Sequence, residues 1–374
     1  MINNISKPSK QQDGLALISV LLIFAIVAVL ATAMIDRQSL DIQRSGNLQA
    51  LQQARAYSTG IEYAVRSGLK LDYDDNAEVD HLEEEWAKPH TYPLQPGTAE
   101  IQIIDAQSRF NLNSLHKTAS NRPAQIQRFK NLLAELGLDT TIADRTQKFM
   151  DEDSMVDNDY LSAEVPYRAS YNVFKHPSEL MLVQDVDAVA YRALIPYISA
   201  LPVGATLNVN TASNKVMAAL STSWSLSEAD TVIGNRGDEG FAKVADFWGL
   251  TEVQEFHDTV GSGSGSNGTS GSGNQNNNEV WDKADFSVNS QYFEVFAKVT
   301  LADRIATIEM LIYRDAQSGE MRTYYRDYSQ TEARLTVIQN NNSNAANSNT
   351  ANGSASSSAN GSTNGGTGAN SGGI

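Results

Sequence analysis

The 374-residue sequence predicts an α+β fold: a long N-terminal helix packed on a small antiparallel sheet, interrupted by a large all-helical insert. Three observations carry this. An uncharged apolar run from Leu15 to Ile35 passes, without proline, into an amphipathic helical pattern. Strand patterns stand far apart, early at "TAEIQIID" and late at "QYFEVFAKVTLADRIATIEMLIYRD". Between them, helical patterns run from about Arg122 to Phe256.

Taken in order, Leu15 to Ile35 holds only Ser19 and Thr32 as polar side chains, and about 20 such residues span a ~30 Å hydrocarbon core. Lys7 and Lys10 precede it with Asp13 the only acid, so the positive-inside rule places the N-terminus in the cytoplasm and the rest outside. Three readings compete. Ala31-Thr32-Ala33 offers a signal-peptide cleavage site, although the apolar core exceeds the usual ~7–15 residues. A plain anchor is the second reading. The third is a cut between Gly14 and Leu15, where a glycine lets extended backbone enter a narrow protease site. Beyond Ile35, Leu48, Leu51, Ala54, Tyr57, Ile61, Ala64 and Val65 recur at helical steps, so membrane helix and amphipathic helix form one rod.

The acidic stretch from Asp72 to Glu85 ends the rod, and Pro89, Pro93, Pro96 and Gly97 mark a loop. "TAEIQIID" then alternates as a half-buried strand with Ile101 and Ile103 on one face. After the helical region, "VGSGSGSNGTSGSGNQNNNE" reads as a flexible loop, and its GxGxxG match has no βαβ context. Two strands are expected at about Tyr292–Leu301 and Arg304–Arg314, with a third at "MRTYYRDYS". The asparagine-, serine- and glycine-rich tail is expected to be disordered.

Net charge of −16 opposes non-specific binding to phosphate backbones, and the absence of cysteine excludes thiol catalysis, Cys–zinc sites and disulfides. The five histidines form no HExxH or triad spacing and no GxSxG occurs, so the sequence offers no catalytic residues. Asp151, Asp153, Asp157 and Asp159 stand close together, as hard-oxygen ligands of a cation do, yet Met155 and Val156 break any EF-hand pattern. A solvated acidic loop is the competing reading. "LNVNTASNKVMAAL", followed by "ADTVIGNRGDEGFAKVADFWGL", looks like a SAM or helix-hairpin-helix module, with Asn210 and Thr211 expected to cap the next helix. Few basic residues flank it, so it reads as a packing or partner-binding module and not a nucleic-acid site.

Short leader, glycine, apolar run and amphipathic extension together resemble a type IV prepilin or pseudopilin. Asp13 stands where a basic residue before the glycine is more usual. The stretches "DAQSRFNLNSL", "DEDSMVDNDYLSAEVPYRASYNVFKHPSELMLV" and "LIPYISALPVGATLNVNTA" resemble the K-type minor pseudopilins of bacterial type II secretion, a pilin-like fold with a large helical insertion. That family typically lacks an acid at the fifth mature position, which Ser19 matches. The resemblance implies a prepilin leader at 1–14, a membrane and amphipathic helix at 15–70, and the first part of the sheet at 71–111. It implies the insert at 112–258, the Gly/Ser loop at 259–280, the remaining strands at 281–338 and the tail at 339–374.

It further implies cleavage at Gly14 and N-methylation of Leu15 by a prepilin peptidase, and a single-pass inner-membrane protein with a periplasmic C-terminal domain. A tip subunit that helps start the pseudopilus would follow. Its partners would be I- and J-type minor pseudopilins, the major pseudopilin and the inner-membrane assembly platform. Leu48, Leu51, Ile61 and Val65 would be the helix-packing residues. No cofactor is required, and the resemblance raises the calcium reading of the four aspartates. The rival expectation is a membrane-anchored acidic periplasmic binding module outside any filament.

Overall fold

The computed structural model describes residues 11–95, 97–256, 281–301 and 304–328, without the side chains of 11–15 and 304. Residues 1–10, the expected Gly/Ser loop and the expected tail lie outside the described residues. Helix α1 (Gln11–Asp75) runs unbroken for 65 residues, about 98 Å at 1.5 Å per residue. Residues 16–49 of it are exposed. Its second half lays Ala54, Ile61, Val65 and Leu69 onto the sheet, all at steps that keep one helical face inward.

That sheet has the order β1-β2-β7-β8-β9, antiparallel throughout: β1 (His90–Leu94), β2 (Gly97–Asp105), β7 (Tyr292–Leu301), β8 (Arg304–Arg314) and β9 (Met321–Asp327). As the alternation requires, Ala99, Ile101 and Ile103 point to α1, joined by Val295, Ala297, Ile308 and Met310. The expected proline loop contains a strand. Pro93 pairs with Thr98 in β1, which is an edge strand and has one side on which a missing N–H costs no ladder bond. Gly97 turns the chain with φ +148°, and a Cβ there would strike the Thr300 carbonyl of β7.

Covering the sheet corrects one expectation. Ile61 and Val65 are buried in the protein's own core, so they are not packing residues for a partner, whereas Leu48 and Leu51 stay exposed. The sheet's apolar face had to be covered, and α1 is what covers it. Leu69→Ala should therefore cost about 2–5 kcal/mol, and Leu71→Ala, on the exposed side of the same helix, less than about 0.5 kcal/mol. Urea unfolding of the two variants in detergent checks the contrast.

The insert holds two cores. In the first, α2 (Arg122–Glu135), α3 (Thr141–Phe149), α4 (Asp157–Leu161) and α5 (Ala188–Leu194) surround Phe129, Leu132, Leu133, Phe149 and Phe174. The second is built by α6 (Asn214–Ala218), α7 (Leu226–Gly234), α8 (Val244–Trp248) and α9 (Thr251–Gln254). Trp281, Phe286 and Val288 belong to this second core, so the sheet module resumes after them and not at 281. The insert is also not wholly helical. Two parallel bridges, β3 (Phe110–Asn111) with β4 (Ile198–Ser199) and β5 (Leu207–Asn208) with β6 (Phe286–Ser287), satisfy backbone groups where its segments meet.

Candidate functional site

What this protein offers is a joint, two clasps and an anchor. The face of the sheet opposite α1 carries Glu294 and Glu309, which are 3% and 1% exposed. Charges so buried require partners. Arg109 donates from Nη1 to Glu294 Oε2 at 2.6 Å. His176, from the turn 177–182 that it caps, accepts the Ser178 amide on Nδ1, which leaves Nε2 to donate to Glu309 Oε1 at 3.2 Å. Tyr325 of β9 donates to the same Glu309 oxygen at 3.0 Å. The insert is thus clasped to the outer sheet face by one ion pair, Arg109–Glu294, and by the His176–Glu309 hydrogen bond.

The joint lies at the upper end of α1. Asp105, at the end of β2, is 2% exposed and accepts from four groups: the Gln107 amide, the Ser290 and Thr211 hydroxyls, and Asn208 Nδ2. Those donors come from three parts of the chain, so one carboxylate ties the sheet to the insert. Burial nevertheless pushes its pKa up to about 6. Thr211 and Asn210 serve this framework and do not cap α6, as was expected. Asn210 instead bridges to Phe241 and Val288, and Ser213 precedes the helix.

Beside Asp105, Arg314 ends β8 and donates to both oxygens of Asp80 at 2.5 Å, to the Ser290 carbonyl at 2.9 Å and to Asp72 at 3.1 Å. Its guanidinium stacks 4.6 Å from the Phe293 ring centroid. Ligand oxygens of Asp72, Asp80 and Glu84 all lie within 4.8 Å of one another. Oxygens that close could hold a divalent ion. Here Arg314 supplies positive charge to Asp72 and Asp80 instead. Three carboxylates against one guanidinium leave an excess of negative charge. Burial, then Glu84 and Asp80, push Asp72 up to about 7, and burial raises Asp80 and Glu84 as well.

The four aspartates, for which calcium and a solvated acidic loop competed, are engaged separately. Asp151 is engaged by Arg122 and Lys117, Asp153 by Lys117, and Asp157 by Arg168 and the Ala169 amide, while Asp159 faces solvent on α4. Their spacing in sequence reflected a loop folded around basic side chains. Gly14 and Leu15 lie in the first turns of α1. Residues 16–49 of α1 are exposed, and the helix is long and apolar enough to cross a membrane. Thr32 bonds back to the Ala28 carbonyl, which satisfies its hydroxyl within the helix.

Residues 108–203 and 207–262 match two family models, both described as type II secretion system protein K. The type II secretion system protein K of Pseudomonas aeruginosa is 34% identical over 337 residues, covering 85% of this chain and 93% of the relative. The chain belongs to the type II secretion system protein K family. Its counterpart in Aeromonas hydrophila is 29% identical over 62% of this chain and 78% of the relative. A chain in the crystal structure of the GspK–GspI–GspJ complex, from the type 2 secretion system of enterotoxigenic Escherichia coli, matches with a TM-score of 0.63. It is 26% identical, and the match covers 77% of this chain and 99% of that one. The protein is therefore a minor pseudopilin component of the type II secretion pseudopilus, with a pilin-like fold and a large insert. It is a structural part and not an enzyme.

Nothing local in the sequence marked Glu294, Glu309, Asp105 or Arg314 as the residues that hold this architecture. The one available signal was chemical: an acid at alternate positions of an otherwise apolar strand, as in Glu294 and Glu309, needs a buried partner whenever both sheet faces are covered.

Proposed function

We propose that the protein caps the tip of the pseudopilus and helps start its assembly. The supporting observation is the double attachment of the insert, by the Arg109–Glu294 and His176–Glu309 clasps and by the Asp105 joint. An insert fixed in that way cannot swing clear of a subunit stacked above it, so the fold suits the end of a filament better than its shaft. Residues from Ala16 onward anchor the chain in the inner membrane, with the sheet and insert in the periplasm. A prepilin peptidase cuts between Gly14 and Leu15 and the new terminus at Leu15 is methylated. Partners are I- and J-type minor pseudopilins, the kinds of subunit that accompany the K chain in the similar GspK–GspI–GspJ complex, together with the major pseudopilin and the inner-membrane platform. Exposed Leu48 and Leu51 face those partners. Calcium is not required at the Asp72–Asp80–Glu84 group, where Arg314 already sits.

The test is the intact mass of the protein made with and without a prepilin peptidase, followed by purification with its I- and J-type neighbours. A peptidase-dependent start at Leu15 bearing one methyl, abolished by Gly14→Val, is expected, with one copy of this chain per complex. An uncut chain in both samples that purifies alone would instead support a plain anchored binding module.

A further inference from the structure

The two cores of the insert meet at a pocket. It is lined by Gln125, Arg128 and Leu132 of α2, by Val216 of α6 and Leu220 just after it, and by the segment 203–207. Leu132 belongs to the first core, and Val216 and Leu220 belong to the second. The cavity measures about 90 Å³, room for several waters at roughly 10–15 Å³ each. Only a small group fits.

Arg128 is 3% exposed, and a cation so buried needs acceptors for its N–H groups. Among the described residues it has one hydrogen-bond partner: Nη1 donates to Asp285 Oδ2 at 2.8 Å. Its guanidinium carbon lies 5.2 Å from the Phe286 ring centroid and 5.6 Å from that of Trp281. Nε and Nη2 are closed to solvent and have no acceptor among the described residues. Burial lowers the pKa of this guanidinium, although Asp285 and Asp282 pull the other way.

Nε and Nη2 form one edge of the planar fork, and that edge matches the two oxygens of a carboxylate. Arg326 shows what the edge takes in this protein. Its Nε and Nη2 donate to the two oxygens of Glu62 at 2.7 and 2.6 Å. One guanidinium can also serve two carboxylates, as Arg314 does for Asp72 and Asp80.

We propose that this pocket binds a carboxylate on a short apolar stem, whose two oxygens are taken by the Nε–Nη2 edge of Arg128. Arg128 forms part of the pocket wall, so a change in its side-chain torsions, with the backbone fixed, turns that edge to the ligand. Phe110, Leu132, Val216 and Leu220 surround the stem. Gln125, three residues before Arg128 on the same face of α2, offers its amide as a further donor. A free short-chain acid and a glutamate side chain of another protein share this chemistry. Either would brace α2 against the residues around α6, the two halves of the insert. The inference stands on the pocket and on Arg128, independently of where the subunit sits in a filament.

The test is calorimetric titration of the full-length protein in detergent with sodium butyrate, butan-1-ol, butylamine and N-acetylglutamate methylamide. Butyrate should bind saturably with a Kd on the order of 1 mM. The alcohol and the amine, of similar size, should bind at least about tenfold more weakly, because neither offers two acceptor oxygens to the edge. Capped glutamate binding as well as butyrate would support a protein side chain as the ligand, and binding of butyrate alone would support a free acid. Arg128→Lys keeps a cation beside Asp285 but loses the planar edge, and should weaken butyrate about tenfold. Gly204→Phe keeps the test decisive if the lysine variant does not fold. Residue 204 lines the pocket from an exposed turn, and a Cβ there meets no atom within 4 Å. The ring should therefore block the pocket and abolish binding with the Tm unchanged. Butyrate binding no tighter than butan-1-ol would overturn the proposal. So would butyrate binding that is unchanged in either folded variant.

Discussion

Replacing Arg314 with methionine is expected to destabilise the folded chain by about 3–5 kcal/mol, the range for removing one partner of a buried ion pair. The side chain is almost wholly buried, with Asp80 equally so and Asp72 largely so. Methionine fills much of the volume against Phe293 but leaves Asp80 with the Ser290 amide as its remaining close donor. The cost arises from that stranded carboxylate and not from lost packing. Two consequences separate the explanations. Asp80→Asn should recover a large part of the loss when combined with Arg314→Met, giving a coupling energy of at least ~1 kcal/mol in a double-mutant cycle. Arg314→Lys should be intermediate, because an ammonium cannot hold both oxygens of Asp80 and reach Asp72 with a planar fork. Urea midpoints of the four variants decide it. If Arg314→Met alone shifts the free energy by less than ~1 kcal/mol, the joint is not held by this ion pair.

The same residues show where sequence reasoning stops. Helix α1 was legible because its pattern is local: each buried position predicts the next, three or four residues on. The alternation of Ile101 with Ile103 and the late strands were legible for the same reason. Arg109 and Glu294 stand 185 residues apart, and Asp105 meets Asn208 across 103, so no window of sequence holds both partners. The Asp151–Asp159 stretch left two readings open for the opposite reason. Local density of acids looks like a metal loop until Lys117, Arg122 and Arg168 arrive from outside or beyond it. The proline-marked segment hid β1, since edge-strand geometry depends on which side of a strand the sheet lies. Trp281 and Phe286 read as the approach to a strand, and only packing shows that they complete the insert's second core.

The joint also fixes how stability should depend on pH. A carboxyl whose folded pKa is raised holds its proton more tightly when folded, so it contributes stability that is complete below its unfolded value and is lost as pH rises through the folded one. For Asp72 that window runs from the ordinary 3.8 to about 7, and for Asp105 from 3.8 to about 6. The chain should therefore be more stable near pH 5 than near pH 8, the reverse of what paired surface carboxylates produce. Glu62, Asp139, Asp151 and Asp315 have lowered values and act only below their ordinary range, outside this window. His116, whose value burial lowers, contributes the opposite sign below 6.5. Comparison with Asp72→Asn cancels it. Asparagine imitates the protonated acid at every pH, so the variant should match the wild type only below the ordinary 3.8. By pH 8 it should exceed the wild type by about 4 kcal/mol, at roughly 1.4 kcal/mol per pH unit across the window. Parallel stability curves for the two proteins from pH 5 to 8 would mean that Asp72 is ionised throughout. Arg314 would then satisfy Asp72 and Asp80 together, and the excess proton would have to reside on Glu84 or nowhere in the joint.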